Sequence, residues 1–400
     1  DTEGQQKALE ILRPIAEQST DPLVWGYVSL RWARLHVHRG AYLPVLQETA
    51  QVLERLQALP ESSDVTALIV EFLAIRTDIL WRLRRLEEAE SDLKQALALG
   101  RGRLPVPLLT TLLTSWTYLL MEQGDVEAAL VKCAEVEVLA RQQGQQRRHA
   151  ITLNLRARLL MLQGQVQQAT QALEEALAIT RLLRHADLQK AFLLNLSQLY
   201  PRLGKLTEAE AAAEELRPLL GPQPSARDEA NLQERLAKVY WAKGDPTAAT
   251  AALHRAIAAF DRTDERGNQA KMRLLLARYL SQQGQRNQAQ RYVDEARPLV
   301  GQTPAQQLWL ATEEARACLP AQPAEALARL EPHLALTAPA EDAQETAQYV
   351  LTEAHLALGQ YEQARQCLDR VPQPPYWMAE YAALRDKAAR DEYEPHSTVG

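Results

Sequence analysis

Cysteine is scarce in this chain: Cys133, Cys318 and Cys367 are the three in 400 residues. They are odd in number, far apart and form no C-x-x-C, so neither a disulfide framework nor a zinc site is expected, and a reducing, cytoplasmic setting is. Phe occurs 3 times and Gly 16 times in a composition that is 46% hydrophobic and 24% charged, which excludes collagen-like, low-complexity and mostly disordered chains. Positive charge is not in excess: 45 Lys+Arg face 51 Asp+Glu, a net charge of −6. A general nucleic-acid binder needs a positive field, so direct nucleic-acid binding by this segment is not expected. Long apolar runs are missing too. The longest uncharged stretch, Leu104 to Met121, is broken by Pro105, Pro107 and five Ser/Thr, and reads as a buried helix, not a membrane span. The opening DTEGQQKALEIL has no basic n-region, no apolar h-region and no initial Met, so an excised piece of a longer chain is expected. Glycine-rich phosphate loops, H-E-x-x-H and G-x-S-x-G are absent, so no enzyme and no cofactor is expected.

What is present is a period. Gly124, Gly164, Gly204, Gly244 and Gly284 stand on a 40-residue ladder, with Arg84 on the rung before them. Five residues after each rung comes an alanine: Ala89, Ala129, Ala169, Ala209, Ala249 and Ala289. Nine after it stand Leu93, Cys133, Leu173, Ala213, Leu253 and Val293, and twelve after it Ala96, Val136, Ala176, Leu216, Ala256 and Ala296. Offsets of five, nine and twelve share one helix face. Each repeat therefore reads as helix A, a tight turn at a left-handed glycine, and helix B, with the alanine permitting close approach of the two helices. Gly359 with Ala364 and Leu368 is a later copy; the copy before it is shortened, with Ala321 in place of glycine and Ala326 in phase. Gly40 is followed by Val45, and residues 3–18 look like a lone helix B. The reading is an all-α, right-handed α-solenoid over residues 1–392: about nine helix pairs after an N-terminal half repeat, a closing helix around Tyr376 to Arg390, and a polar tail or linker at 393–400.

Segments such as Gly164-Gln165-Val166-Gln167-Gln168-Ala169 and Gly359-Gln360-Tyr361-Glu362-Gln363-Ala364 resemble the tetratricopeptide repeat over nearly the whole chain. That family's usual period is about 34 residues, shorter than this one. The 40-residue form is similar to the sensor superhelix of MalT-type and antibiotic-regulatory bacterial transcription activators, with kinesin light chain repeats as another relative. The resemblance implies a non-catalytic interaction module, and the fold by itself does not name its ligand.

Scattered residues offer little chemistry. His36 and His38 point in different directions on a helix and make no two-point metal site. Cys133 occupies a core rung and reads as an inert buried thiol. Glu87-Glu88, Glu174-Glu175 and Glu214-Glu215 read as solvated faces, as do the basic runs Arg82, Arg84, Arg85 and Arg147-Arg148-His149.

A repeat array recognises partners along its concave face, lined by helices A. Six residues before each rung stand Arg34, Asp78, Tyr118, Arg158, Gln198, Lys238, Arg278 and Glu353, and one turn onward Val37, Trp81, Met121, Met161, Pro201, Trp241, Ser281 and Leu356. Trp, Met and Arg are what interface centres use. The candidate binding residues are Arg34, Asp78, Trp81, Tyr118, Asn154, Arg158, Gln198, Lys238, Trp241 and Arg278, with Arg158 to Arg278 expected to converge as a basic stretch on one groove. The partner would be an acidic peptide segment or a polyhydroxylated effector; self-association is also open, whereas a membrane is not expected. Two functions follow: the sensor and interaction module of a bacterial transcription regulator, or a self-contained scaffold binding peptide segments of partner proteins.

Overall fold

The structure is a computed structural model that describes residues 2–38, 40–100, 104–319, 321–334, 342–371 and 378–390. Among these there are twenty α-helices and no strand: the chain is an all-α repeat solenoid. It forms two compact units, Asp1–Leu159 and Leu160–Gly400. The first holds α1 (Thr2–Glu17), α2 (Pro22–His38), α3 (Tyr42–Gln57), α4 (Ser63–Arg82), α5 (Leu86–Leu99), α6 (Val106–Glu122), α7 (Val126–Gln142) and most of α8 (Gln146–Leu162). The second holds α9 (Val166–Leu182), α10 (Ala186–Arg202), α11 (Leu206–Leu219), α12 (Ala226–Ala242), α13 (Pro246–Phe260), α14 (Arg266–Gln282), α15 (Arg286–Ala296), α16 (Pro304–Cys318), α17 (Pro323–Leu334), α18 (Asp342–Ala357), α19 (Tyr361–Asp369) and α20 (Met378–Arg390). Tyr376 and the tail at 393–400 lie outside the described residues.

The turn explains the period. Gly124 has φ +81°, its amide donates to the Met121 carbonyl (3.2 Å), and the Asp125 amide reaches back to the Leu120 carbonyl (3.0 Å). This double bond from a left-handed residue satisfies carbonyls that a helix end otherwise leaves open. The pattern recurs at Gly164, Gly204, Gly244, Gly284 and Gly359, all with positive φ. The next helix starts at once: the Asp125 and Asp245 carboxylates cap it by accepting from the Ala128 and Ala248 amides, at 3.0 and 2.9 Å. With the turn this short, the alanine five residues on faces the preceding helix, and Ala89, Ala129, Ala169, Ala209 and Ala249 are all fully buried. The segment 104–121, read as a buried helix, forms α6, which buries Leu112, Leu113 and Leu119; among the described residues no helix is long and apolar enough to cross a membrane.

Two features depart from the ladder. The same left-handed turn also joins helix B to the following helix A, at Gly144 (φ +64°) and at Arg184 (φ +51°), so α7 to α10 are four 17-residue helices starting every twenty residues. In the shortened copy, Ala321 is not left-handed; the Ala321 and Gln322 amides instead share the Cys318 carbonyl, at 3.1 and 2.9 Å.

A Cβ on Gly204 (φ +71°) would meet nothing within 4 Å, so the cost of Gly204→Val is that of the backbone region alone. It is expected at about 1–2 kcal/mol. Arg84 holds φ +61° as a non-glycine residue, and Arg84→Gly is expected to stabilise by up to about 1 kcal/mol, the relief of strain exceeding the entropy that glycine adds to the unfolded chain. Urea unfolding of the two variants checks both signs.

Candidate functional site

Helices A carry the polar ladder, and the structure shows what each ladder residue touches. In the first unit Arg34 pairs with Glu71, and Asp78 holds Arg82 at 3.1 Å. The ring of Trp81 lies 5.0 Å from that of Tyr118; the Arg82 guanidinium sits 5.5 Å from the Trp81 ring and Arg158 5.8 Å from Tyr118. The Trp81 indole Nε1 is buried without a hydrogen-bond partner. Asn154 is half-buried on α8. Arg158 is exposed, and among the described residues no carboxylate lies within ion-pair distance of it.

In the second unit the ladder is charged but compensated. Lys238 is buried, its Nζ 2.9 Å from Glu234; Lys271 reaches the same carboxylate at 3.1 Å and Arg235 at 3.8 Å. Burial pushes the Glu234 carboxyl up, but the pull of Lys238, Lys271 and Arg235 outweighs it and keeps the acid well below the usual carboxylate range. Arg278 and Arg316 share Glu313, each at 3.1 Å and each to a different oxygen. Arg316 also approaches Glu353 at 3.9 Å and lies 5.6 Å from the ring of Tyr349. Trp241, one turn beyond Lys238, stacks on Tyr279 with centroids 4.0 Å apart and planes within 10°. A small, shallow, solvent-open cleft lies here, lined by Trp241 from α12, by Arg278, Tyr279 and Gln282 from α14, by Arg316 from α16, and by Thr346 and Tyr349 from α18. Gln198, on α10, is half-buried and does not line it.

Arg158 belongs to the first unit and Gln198, Lys238 and Arg278 to the second. Lys238 and Arg278 each face a buried carboxylate, on their own or the neighbouring helix A. Of the positions one turn onward, Pro201 and Leu356 are buried and the other six half-buried, and Trp81 and Trp241 form part of an aromatic group.

Sequence reasoning missed Arg316, Tyr349 and Tyr279. Counting six back from the altered rung Ala321 lands on Ala315, one residue short of Arg316, because that copy is shortened. Tyr279 is adjacent to a ladder residue, not on the ladder.

Elsewhere the chemistry is quiet. Cys133 is buried, its Sγ donating to the Thr152 carbonyl (3.5 Å), and burial above all pushes its thiol up to about 12. Burial raises Cys367 and Cys318 as well, the opposite of what a nucleophilic thiolate needs. Among the described residues no three His, Cys, Asp or Glu side chains gather as a metal site.

Removing one member of the Glu234 group should act on stability. Lys238→Ala is expected to cost about 2–3 kcal/mol, below the loss for a fully orphaned buried charge because Lys271 and Arg235 remain. Glu234 titrates lower folded than unfolded, so its contribution is present above its ordinary value of 4.5 and is lost as pH falls through the folded value. Glu234→Gln should therefore flatten the acid side of the stability profile, measured by urea unfolding from neutral pH downward.

Residues 228–300, spanning α12 to α15, match the family model described as tetratricopeptide repeat. No curated protein matches the chain in sequence. Among solved structures, the apo form of the quorum sensor NprR from B. thuringiensis is 14% identical, covers 90% of this chain and 97% of its own, and superposes with a TM-score of 0.59. NprR in complex with its cognate peptide NprX is 13% identical over 96% of this chain and 100% of its own, TM-score 0.55. The signal-transduction ATPase with numerous domains (STAND) that carries a tetratricopeptide repeat sensor, from Pyrococcus horikoshii, is 14% identical over 68% of this chain and 41% of its own, TM-score 0.57. At these identities the likeness is one of fold: a solenoid of tetratricopeptide-like helix pairs.

Proposed function

We propose that this chain is a non-catalytic protein- and peptide-interaction module, and that the cleft on the helix A side of the second unit is its binding site. One observation carries the reading: α12, α14, α16 and α18 together present two aromatic platforms, Trp241 on Tyr279 and Tyr349, beside two arginines already oriented by Glu313. Rigid aromatic rings flanked by held guanidinium groups are what hot spots are made of. NprR, of similar fold, binds a peptide, and a further neighbour uses such repeats as a sensor; both support the finer reading of a cytoplasmic signal-sensing part of a bacterial transcription regulator, in which DNA binding belongs to another domain. The Trp81, Tyr118 and Arg158 group of the first unit is a second candidate surface, and Arg158 is its accessible charge.

Thermal unfolding with a random octapeptide pool, followed by deconvolution, tests the assignment. A peptide at 100 times its Kd should add about 2.7 kcal/mol. Trp241→Ala is expected to weaken the selected peptide about 30-fold or more with helix content unchanged, while Arg158→Ala leaves it untouched. A selected peptide that binds the Trp241→Ala variant like the parent moves the site elsewhere.

A further inference from the structure

The first unit holds a group of hydrogen-bond donors for which the fold supplies no acceptor. Trp81 on α4, Tyr118 on α6 and Arg158 on α8 stand on three successive helices A. The two rings are 5.0 Å apart, and the guanidinium lies 5.8 Å from the Tyr118 ring. The Trp81 indole Nε1 is buried with no hydrogen-bond partner. Among the described residues the Tyr118 hydroxyl has no hydrogen bond either, and no carboxylate lies within ion-pair distance of Arg158. A buried indole N–H ordinarily finds an acceptor, because an unmade bond forfeits what water would have given it. Here that orphaned donor adjoins a hydroxyl and an exposed cation that are also unmatched.

The acidic residues on the same three helices are engaged or remote. α8 carries none, and the one on α6, Glu122, pairs with Arg84. On α4, Glu71 pairs with Arg34, and Asp78 holds Arg82 at 3.1 Å. Asp64, in the first turn of α4, stands about 25 Å along the helix from Trp81. Of the two ladder arginines of this unit, Arg34 therefore has its counter-charge and Arg158 does not.

We propose that this face is a carboxylate site for a peptide segment: the carboxylate takes the Arg158 guanidinium and the Tyr118 hydroxyl, and an apolar side chain beside it packs on the rings of Tyr118 and Trp81. The inference rests on the chain being a peptide-interaction module, as argued above, though not on the cleft of the second unit, and it gives the first-unit surface its ligand chemistry. A carboxylate only accepts, through two oxygens, and brings the charge that Arg158 lacks. A neutral acceptor would serve the hydroxyl and leave the guanidinium unmatched. The indole N–H has no bond to give up, so the Trp81 ring is held by packing and can turn towards a ligand acceptor without losing one.

The test uses the full chain as wild type, Arg158→Gln, Tyr118→Phe and Trp241→Ala. Because the Arg158 guanidinium and the Tyr118 hydroxyl bond to no acceptor in the fold, the first two variants should melt within about 2 °C of wild type. A larger fall for Tyr118→Phe gives the hydroxyl a structural partner and overturns the site. Random octapeptides with free C-termini, and the same pool amidated, are then selected on Trp241→Ala, which removes the second-unit platform and leaves the first unit intact. Enrichment of Asp or Glu in both pools assigns the carboxylate to a side chain, and binders from the free pool alone assign it to the chain terminus. Selected peptides should bind wild type as they bind Trp241→Ala, about 30-fold or more weaker to Arg158→Gln, and about fivefold weaker to Tyr118→Phe. Neutral peptides, or acidic ones that bind Arg158→Gln like wild type, overturn this inference. The same pools selected on Arg158→Gln read the second-unit cleft by itself. Peptides recovered there but not on Trp241→Ala overturn the carboxylate site and leave the cleft standing, and no binder on either variant overturns both.

Discussion

Every helix-to-helix step on the ladder depends on one residue held at positive φ, followed by an amide that reaches back five residues. That bond lets the chain leave one helix and enter the next within three residues, at Gly124, Gly164, Gly204, Gly244 and Gly284. Because the reversal is so short, the residue five positions later always faces the preceding helix, and only a small side chain permits the two axes to approach. Alanine at that position is thus a consequence of the turn. Where arginine takes the left-handed place, at Arg84 and Arg184, the same bonds form and the backbone strain is borne by the packing on either side.

That regularity leaves helices A free to carry something other than core. An alternating stack buries helix B against two helices A, while the far side of helix A meets other helices A. The second unit fills this space with buried carboxylates, Glu234, Glu313 and Glu345, each gripped by basic side chains from its own or another helix A. Such a layer adds little net stability but is intolerant of a missing partner, since an unmatched buried charge is far costlier than an unmatched methyl group. It holds Arg278 and Arg316 in place beside the aromatic rings, so a ligand finds them already ordered.

The layer also marks where the sequence could be read and where it could not. The period, the turn glycines, the alanine rung and the all-helical solenoid were legible because each is a local requirement repeated many times, and repetition separates it from chance. The left-handed turns at Gly144 and Arg184 were not, since each joins a helix B to the next helix A and only Gly144 announces itself by residue type. The ladder six residues before each rung found Tyr118, Lys238 and Arg278 and, one turn on, Trp81 and Trp241. It could not show that Lys238 is buried against Glu234, because a partner four residues away on the same helix looks like any surface pair. Arg316 was lost to a phase slip of one residue in the shortened copy. The pairing of Arg202 with Glu345 has no local signature at all: it depends on how far four helix pairs rotate, a sum of small inter-repeat angles that no single repeat encodes.

That same sum sets where α10 and α18 come together. Each interface between repeats contributes only a small rotation, and after four of them Arg202 stands 2.9 Å from Glu345, both side chains nearly buried. An ion pair so placed recovers little more than its desolvation cost, yet removing either partner leaves a buried charge unmatched. The meeting of the two helices is therefore intolerant of substitution at Arg202 or Glu345 without being a large source of stability.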